Sequence, residues 1–160
     1  METTRHFTAT TYVVNDGATL LHRHPGLSVW LPPGGHVERD ELPHETALRE
    51  VREETGLDVD LVVERDGVAS ATVEPLPKPR HVQLADVNVH GDEVGHQHVD
   101  LVYYARAGSR AIDPDAEEVS ADGWEWFSPK ALDGDDRLDP DVREIGRRAI
   151  GTVGDDRRVG

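Results

Sequence analysis

The sequence contains no cysteine, which excludes disulfide staples, thiolate metal sites and cysteine nucleophiles. Lysine is nearly as scarce. Lys78 and Lys130 are the only two, and arginine supplies the rest of the 17 basic residues. No run of roughly 18 apolar residues occurs, so no segment suits a membrane-spanning helix. The N-terminus, Met1-Glu2-Thr3-Thr4-Arg5-His6, lacks the basic-then-apolar order of a signal peptide, and the cytoplasm is the expected location. Internal repeats and long low-complexity tracts are absent as well.

Acid is what the chain has in quantity. Asp and Glu number 32 against 17 Lys and Arg, a net charge of −15 at pH 7. Such a surface repels the phosphates of nucleic acid polymers and of anionic lipid, so neither is an expected partner. A small phosphorylated metabolite stays admissible if a metal ion mediates. Acid-rich, lysine-poor usage fits a salty, halophilic cytoplasm, where screening relieves self-repulsion; a GC-rich genome explains the Arg bias equally well. The 160 residues are enough for one domain with a real core. That domain is expected over residues 1–150, with 151–160 as a polar, disordered tail.

Local patterns predict a strand over 6–14, a turn at Asn15-Asp16-Gly17 and a hairpin partner over 18–24. A short strand over 28–31 meets Pro32-Pro33-Gly34-Gly35, which reads as a breaker. A helix is expected over 42–55, with Pro43 in its first turn and Gly56 as its C-terminal cap. Strands follow over 57–64, 81–89 and 99–107, with a turn between His90 and Gly95. Prolines 75, 77 and 79 make 74–79 a loop. An acidic loop at 113–123 precedes a short strand at 124–127. Ser128-Pro129 and Asp139-Pro140 each start a helix, the second ending near Ile150. The class is mixed α+β or α/β.

The helix over 42–55 carries the chemistry. At about 100° per residue, Glu50, Glu53 and Glu54 share one face. Ala47, Leu48, Val51 and Thr55 form a second, packing face. Three carboxylates within one turn repel one another unless a divalent cation sits among them, and all-oxygen ligands suit Mg²⁺ or Mn²⁺. Arg49, four residues from both Glu45 and Glu53, can tie carboxylates in place. A Gly-Gly turn lets backbone approach a ligand closely.

Gly35, Glu41, Arg49, Glu50, Val51, Glu53, Glu54, Gly56 and Leu57 stand at the spacing of the Nudix box and fill all nine of its specified positions. The segment therefore resembles that of the Nudix hydrolase family. The resemblance implies a Nudix-type α/β/α sandwich, a mixed β-sheet flanked by helices. It implies divalent-metal-dependent hydrolysis of a nucleoside diphosphate linked to another moiety, with a small diphosphate-containing metabolite as substrate. Mg²⁺ is the expected cofactor, with Mn²⁺ as a substitute. Glu50, Glu53 and Glu54 match the metal-binding carboxylates. Glu41 and Arg49 match the pair that supports the loop on the helix, and Gly34 matches a glycine whose carbonyl can bind metal. In the family one carboxylate of the set, or an acidic residue from a distant loop, serves as the base; Glu117 and Glu118 of the acidic loop are candidates for a further ligand or base, or belong to a simply solvated loop. A Nudix-fold module that senses a nucleotide without cleaving it is the alternative, although such modules usually lose these carboxylates.

Several weaker signals leave alternatives open. Trp30, Tyr104, Trp124 and Trp126 are candidate base-stacking surfaces or core. Arg23, Arg80 and Arg106 are candidate phosphate contacts or solubilising charge. His96, His98 and Asp100 alternate onto one strand face. They read as a half-exposed polar face, a substrate-contacting strand or a His/Asp metal site. The expected assembly is a monomer or homodimer.

Overall fold

A computed structural model describes residues 2–24, 29–90, 93–114 and 120–156. Strand β1 (Thr4–Asn15) turns through Asp16 and Gly17, both at positive φ (44° and 76°), into β2 (Ala18–Arg23). Two positive φ angles match the twist of a tight hairpin, which is why Asp-Gly stands there. Short β3 (Trp30–Leu31) pairs with β2, and β4 (Gly34–His36) pairs antiparallel with Thr8–Thr10 of β1. Helix α1 (Pro43–Thr55) follows, then β5 (Val59–Leu61), β6 (His81–His90) and β7 (Glu93–Ala107). A single 3-10 turn (Ala121–Gly123) leads into β8 (Trp124–Phe127), α2 (Pro129–Gly134) and α3 (Pro140–Asp155).

Among the described residues eight strands form one mixed sheet. Its central pair is parallel: β1 runs beside β7 from Thr4↔His96 to Val14↔Arg106. All the other pairings are antiparallel. Alternation along β1 sends Ala9 and Val13 to one face and Tyr12 and Val14 to the other. Ala9 packs with Ala47 and Tyr103, and Val13 with Leu20, Val51 and Leu57, under α1. Tyr12 and Val14 pack with Val102, Tyr104, Ile145 and Ala149 under α3. Helices thus cover both faces, which is the expected α/β/α sandwich.

Four local expectations are corrected. Gly34-Gly35-His36 is a strand, because glycines permit a close approach that side chains would block: a Cβ on Gly34 would lie 2.7 Å from the Ala9 carbonyl. The two prolines stop short of that ladder, and the Pro33 carbonyl still accepts the Thr11 N–H at 3.0 Å. Strand β5 is shorter than 57–64; Arg80 takes the Val62 carbonyl at 3.0 Å where the ladder would continue. Strand β7 begins at Glu93, ahead of 99, since its polar first half is paired on both sides, by β1 and β6. Helix α3 runs to Asp155, so residues 151–155 are helical and do not belong to a disordered tail. Val153 is buried there, and Arg106 Nη2 donates to its carbonyl at 2.8 Å.

Within α1, Thr46, Ala47, Val51 and Thr55 face inward, whereas Leu48 is 37% exposed and departs from the expected packing face. Leu48 sits at the border of the buried stripe, and Thr46 takes the inward place. Burial of Val51 alone contributes about 1.5–3 kcal/mol. No helix among the described residues is long and apolar enough to cross a membrane.

Candidate active site

The site is built where β4 meets α1. The Glu45 carboxylate accepts the Leu42 N–H at 2.8 Å and opens the helix. At the other end Gly56, at φ 76°, closes it through its N–H on the Arg52 carbonyl at 2.8 Å. Glu41 and Arg49 form a two-pronged ion pair. Arg49 Nε donates to Glu41 Oε2 at 2.6 Å, and Nη2 donates to Oε1 at 2.9 Å. The Thr46 hydroxyl (2.6 Å) and Glu38 N–H (3.2 Å) also donate to Glu41. Arg49 Nη1 then reaches Glu50 at 2.9 Å and Glu53 at 3.2 Å, and Nη2 reaches the His36 carbonyl at 3.3 Å. One guanidinium therefore ties the loop, the helix and β4 together. Glu45 is spent on the helix start.

The Arg49 hydrogen bonds hold the Glu41 carboxyl well down, at about 2. An unfolded Glu titrates near 4.5, so this pair stabilises the fold above pH 4.5, and the contribution disappears as pH falls from 4.5 toward 2. Glu41→Gln is expected to cost about 1–2 kcal/mol at pH 7. The gap to wild type, measured by urea unfolding, should narrow below pH 4.5. An unchanged gap at pH 3 would remove the ionic role.

Glu54 behaves in the opposite way. Burial first, then a hydrogen bond to the Glu50 carboxyl and the charges of Glu50 and Glu53, push its pKa up to about 8; the Gly34 N–H donating to it works against the rise. A Cβ on Gly35 would lie 2.3 Å from Glu50 Oε1, so the glycine is what admits that carboxylate beneath β4. Glu53 is the more open member, its side chain 47% exposed. Among the described residues no ion pair engages Glu54. Crowded carboxylates, with Glu54 held toward its protonated form, beside backbone polar groups are a donor set that fits a hard divalent cation.

Tyr104 is buried on the α3 face, its hydroxyl 2.5 Å from His81 Nε2, with Arg80 over its ring at 5.6 Å. Arg80 Nε and Nη2 both donate to the Val62 carbonyl. Trp30 is core, edge-on to Phe127 at 5.4 Å, and Arg137 covers its ring at 4.7 Å. Arg23 is exposed and stands opposite Trp30 in the β2–β3 ladder. Arg110 stacks on Trp126 at 5.3 Å, and Trp124 packs on His22. A shallow concavity of about 510 Å³ between β8 and α2, lined by Trp126, Lys130 and Arg137, contains none of the three carboxylates. Glu117 and Glu118 lie outside the described residues; Asp113, earlier in the same loop, donates its N–H to the Thr55 carbonyl at 2.8 Å.

His96, His98 and Asp100 do share a face. Asp100 is occupied: it accepts the hydroxyls of Thr8 (2.9 Å) and Thr10 (2.8 Å), and burial raises its pKa against those bonds. The histidines are joined by two that sequence reasoning did not single out, His6 and His36. These come from other strands, and no local pattern marks them.

The fold is an α/β/α sandwich organised around a loop–helix that presents clustered carboxylates to a glycine strand. Residues 4–149 match the NUDIX domain, and the chain belongs to that family. A NUDIX-family hydrolase from Clostridium perfringens has the same fold, with a TM-score of 0.80 and 31% identity over 94% of this chain and 99% of its own. A MutT protein from Methanosarcina mazei shares the fold at 20% identity and TM-score 0.61, over 93% of this chain and 95% of its own. Mouse bis(5'-nucleosyl)-tetraphosphatase is 54% identical over 39 residues, 24% of this chain and 26% of its own length. The match to that curated relative thus spans about a quarter of its length. The protein is thus a member of the Nudix hydrolase family, and membership implies a divalent-metal cofactor.

Proposed function

We propose that the protein is a Mg²⁺-dependent pyrophosphohydrolase, with Mn²⁺ as a substitute, that cleaves the phosphoanhydride of a nucleoside diphosphate linked to another moiety. The observation that carries this reading is the meeting of Glu50 and Glu54 beneath Gly34 and Gly35. Glu50, Glu53 and Glu54, with the Gly34 carbonyl, would hold the metal. When bound, the cation offsets the substrate's negative charge and acidifies water.

The chain's own residues supply position and proton transfer. Arg49, fixed by Glu41, orients Glu50 and Glu53. Glu53, the open carboxylate, takes the proton of the attacking water. The water oxygen bonds to phosphorus as the bridging anhydride oxygen leaves with the other phosphate. Fixed charge and orientation provide most of the rate in such transfers.

A hydrolysis screen with Mg²⁺ or Mn²⁺ in high KCl tests this, reading phosphate and pyrophosphate release. Phosphatase-coupled wells detect new terminal phosphates. The panel spans nucleoside triphosphates, sugar nucleotides, ADP-ribose and, prompted by the mouse relative, dinucleoside tetraphosphates. Turnover of one class, lost in Glu54→Gln, is the expected result. Thermal stabilisation by a nucleotide with no product from any substrate would favour a sensing module instead.

A further inference from the structure

On the β1–β7 sheet, one end of the α3-side face is left to histidine. His6 of β1 stands opposite His98 of β7 in the parallel ladder, and His96 lies two residues before it on the same strand. His36 of β4 stands opposite Thr8 of β1. Alternation puts all four rings on one face. The ring centroids form a closed circuit: His6 to His36 5.4 Å, His36 to His98 4.9 Å, His98 to His96 5.1 Å, and His96 to His6 4.6 Å. One ligand nitrogen each from His6, His36 and His96 lies within 4.8 Å of the other two. His6 and His36 are exposed, and His96 and His98 are half-buried.

We propose that His6, His36 and His96, with His98 as a fourth donor, bind a borderline divalent cation of the Zn²⁺ class at a site separate from the carboxylates. The donor chemistry separates the two sites. Imidazole nitrogen selects zinc, nickel or copper, whereas the all-oxygen set of α1 selects magnesium or manganese. Zn–N bonds of about 2.0–2.1 Å in a tetrahedron hold nitrogens roughly 3.3 Å apart. The nitrogens of His6, His36 and His96 therefore need to close by about 1.5 Å at most, which side-chain rotation of the exposed His6 and His36 can supply, and His98 reaches the ion by its own rotation. Asp100, the acidic neighbour on the same face, is engaged by Thr8 and Thr10 and so adds negative charge nearby without joining the donor set. A bound ion would cross-link β1, β4 and β7. Strand β4 carries Gly34 and Gly35, so the cross-link would also brace the backbone over Glu50 and Glu54.

The test uses tag-free protein with excess Mg²⁺ present, titrated with Zn²⁺ and followed by calorimetry and thermal unfolding. One equivalent should bind, and at free Zn²⁺ a hundredfold above Kd the Tm should rise by about 5 °C or more. Both signals should vanish in the His6→Ala/His96→Ala double variant, whose replaced side chains lie at the surface or half-buried. Both should persist in Glu53→Gln/Glu54→Gln. Zinc binding that survives the histidine variant, that is lost in the glutamate variant, or that fails to raise Tm would overturn the site. The glutamate arm separates failure of this inference from failure of the proposed hydrolytic site.

Discussion

Replacing Glu54 by Gln is expected to lower the hydrolytic rate by about 10²–10⁴-fold while making the metal-free protein more stable at pH 8. Both effects have one cause. Glu54 is half-buried beside Glu50 and near Glu53, so ionising it without a cation is unfavourable. Its folded pKa, about 8, lies above the ordinary 4.5, so the native state holds this proton more tightly than the unfolded chain does. The resulting stability is complete below pH 4.5 and is lost as pH rises through 8. Gln keeps the shape and removes the ionisation. Metal-free wild type should therefore lose Tm between pH 5 and 8 in EDTA, and the variant should stay nearly level. Mg²⁺ should raise the Tm of wild type and do little for the variant. The rate loss follows from removing a ligand and a charge at the reacting centre. Full activity in Glu54→Gln would sink the site assignment, and parallel pH profiles for the two proteins would sink its electrostatic basis.

Gly56→Ala is expected to cost about 3 kcal/mol or more in stability, read as a fall in Tm of roughly 6–12 °C. Gly56 sits at φ 76°, where an L side chain adds about 1 kcal/mol of strain. The larger part is steric. A Cβ there would lie 2.1 Å from the Asp113 carbonyl oxygen and 2.8 Å from its carbon, and both are backbone. The Asp113 N–H to Thr55 carbonyl bond holds that strand of loop in place, so it cannot simply move aside. Gly17→Ala is the matched control. It has the same φ of 76°, with nothing within 4 Å of the added carbon. Its cost should be the conformational part alone, about 1 kcal/mol. Equal losses at the two glycines would show that the contact with Asp113 carries no weight.

The parts of this molecule legible before folding are those whose cause lies within a few residues. Asp16-Gly17 specifies its turn by backbone preference alone. Pro43 and Gly56 bound α1 because each end of a helix has its own backbone needs. Glu50, Glu53 and Glu54 share a face because the helical repeat puts them there. The Nudix spacing adds Glu41 and Arg49, and the ion pair between them is present in full.

Other features were decided by which segments meet. Pro32-Pro33-Gly34-Gly35 carries the composition of a breaker, yet β1 has a ladder position for Gly34 and Gly35, and only residues without side chains fit between it and Glu50. Leu48 has the right period for the core and lies at its border, because Thr46 and Ala47 take the inward places beside it. Gly151 to Asp155 look polar enough to fray, but Arg106, from the far end of β7, takes the Val153 carbonyl and holds the last turn.

By itself, then, the sequence determined the caps, the helix faces, the carboxylate cluster and the family. The tertiary structure alone decided that Glu54 is the proton-retaining member, that Arg49 joins three elements, and that His6 and His36 reach His96 and His98. The reason is the range of the forces. Helical phase and turn geometry act between near neighbours in the chain, whereas burial and side-chain proximity depend on partners dozens of residues away.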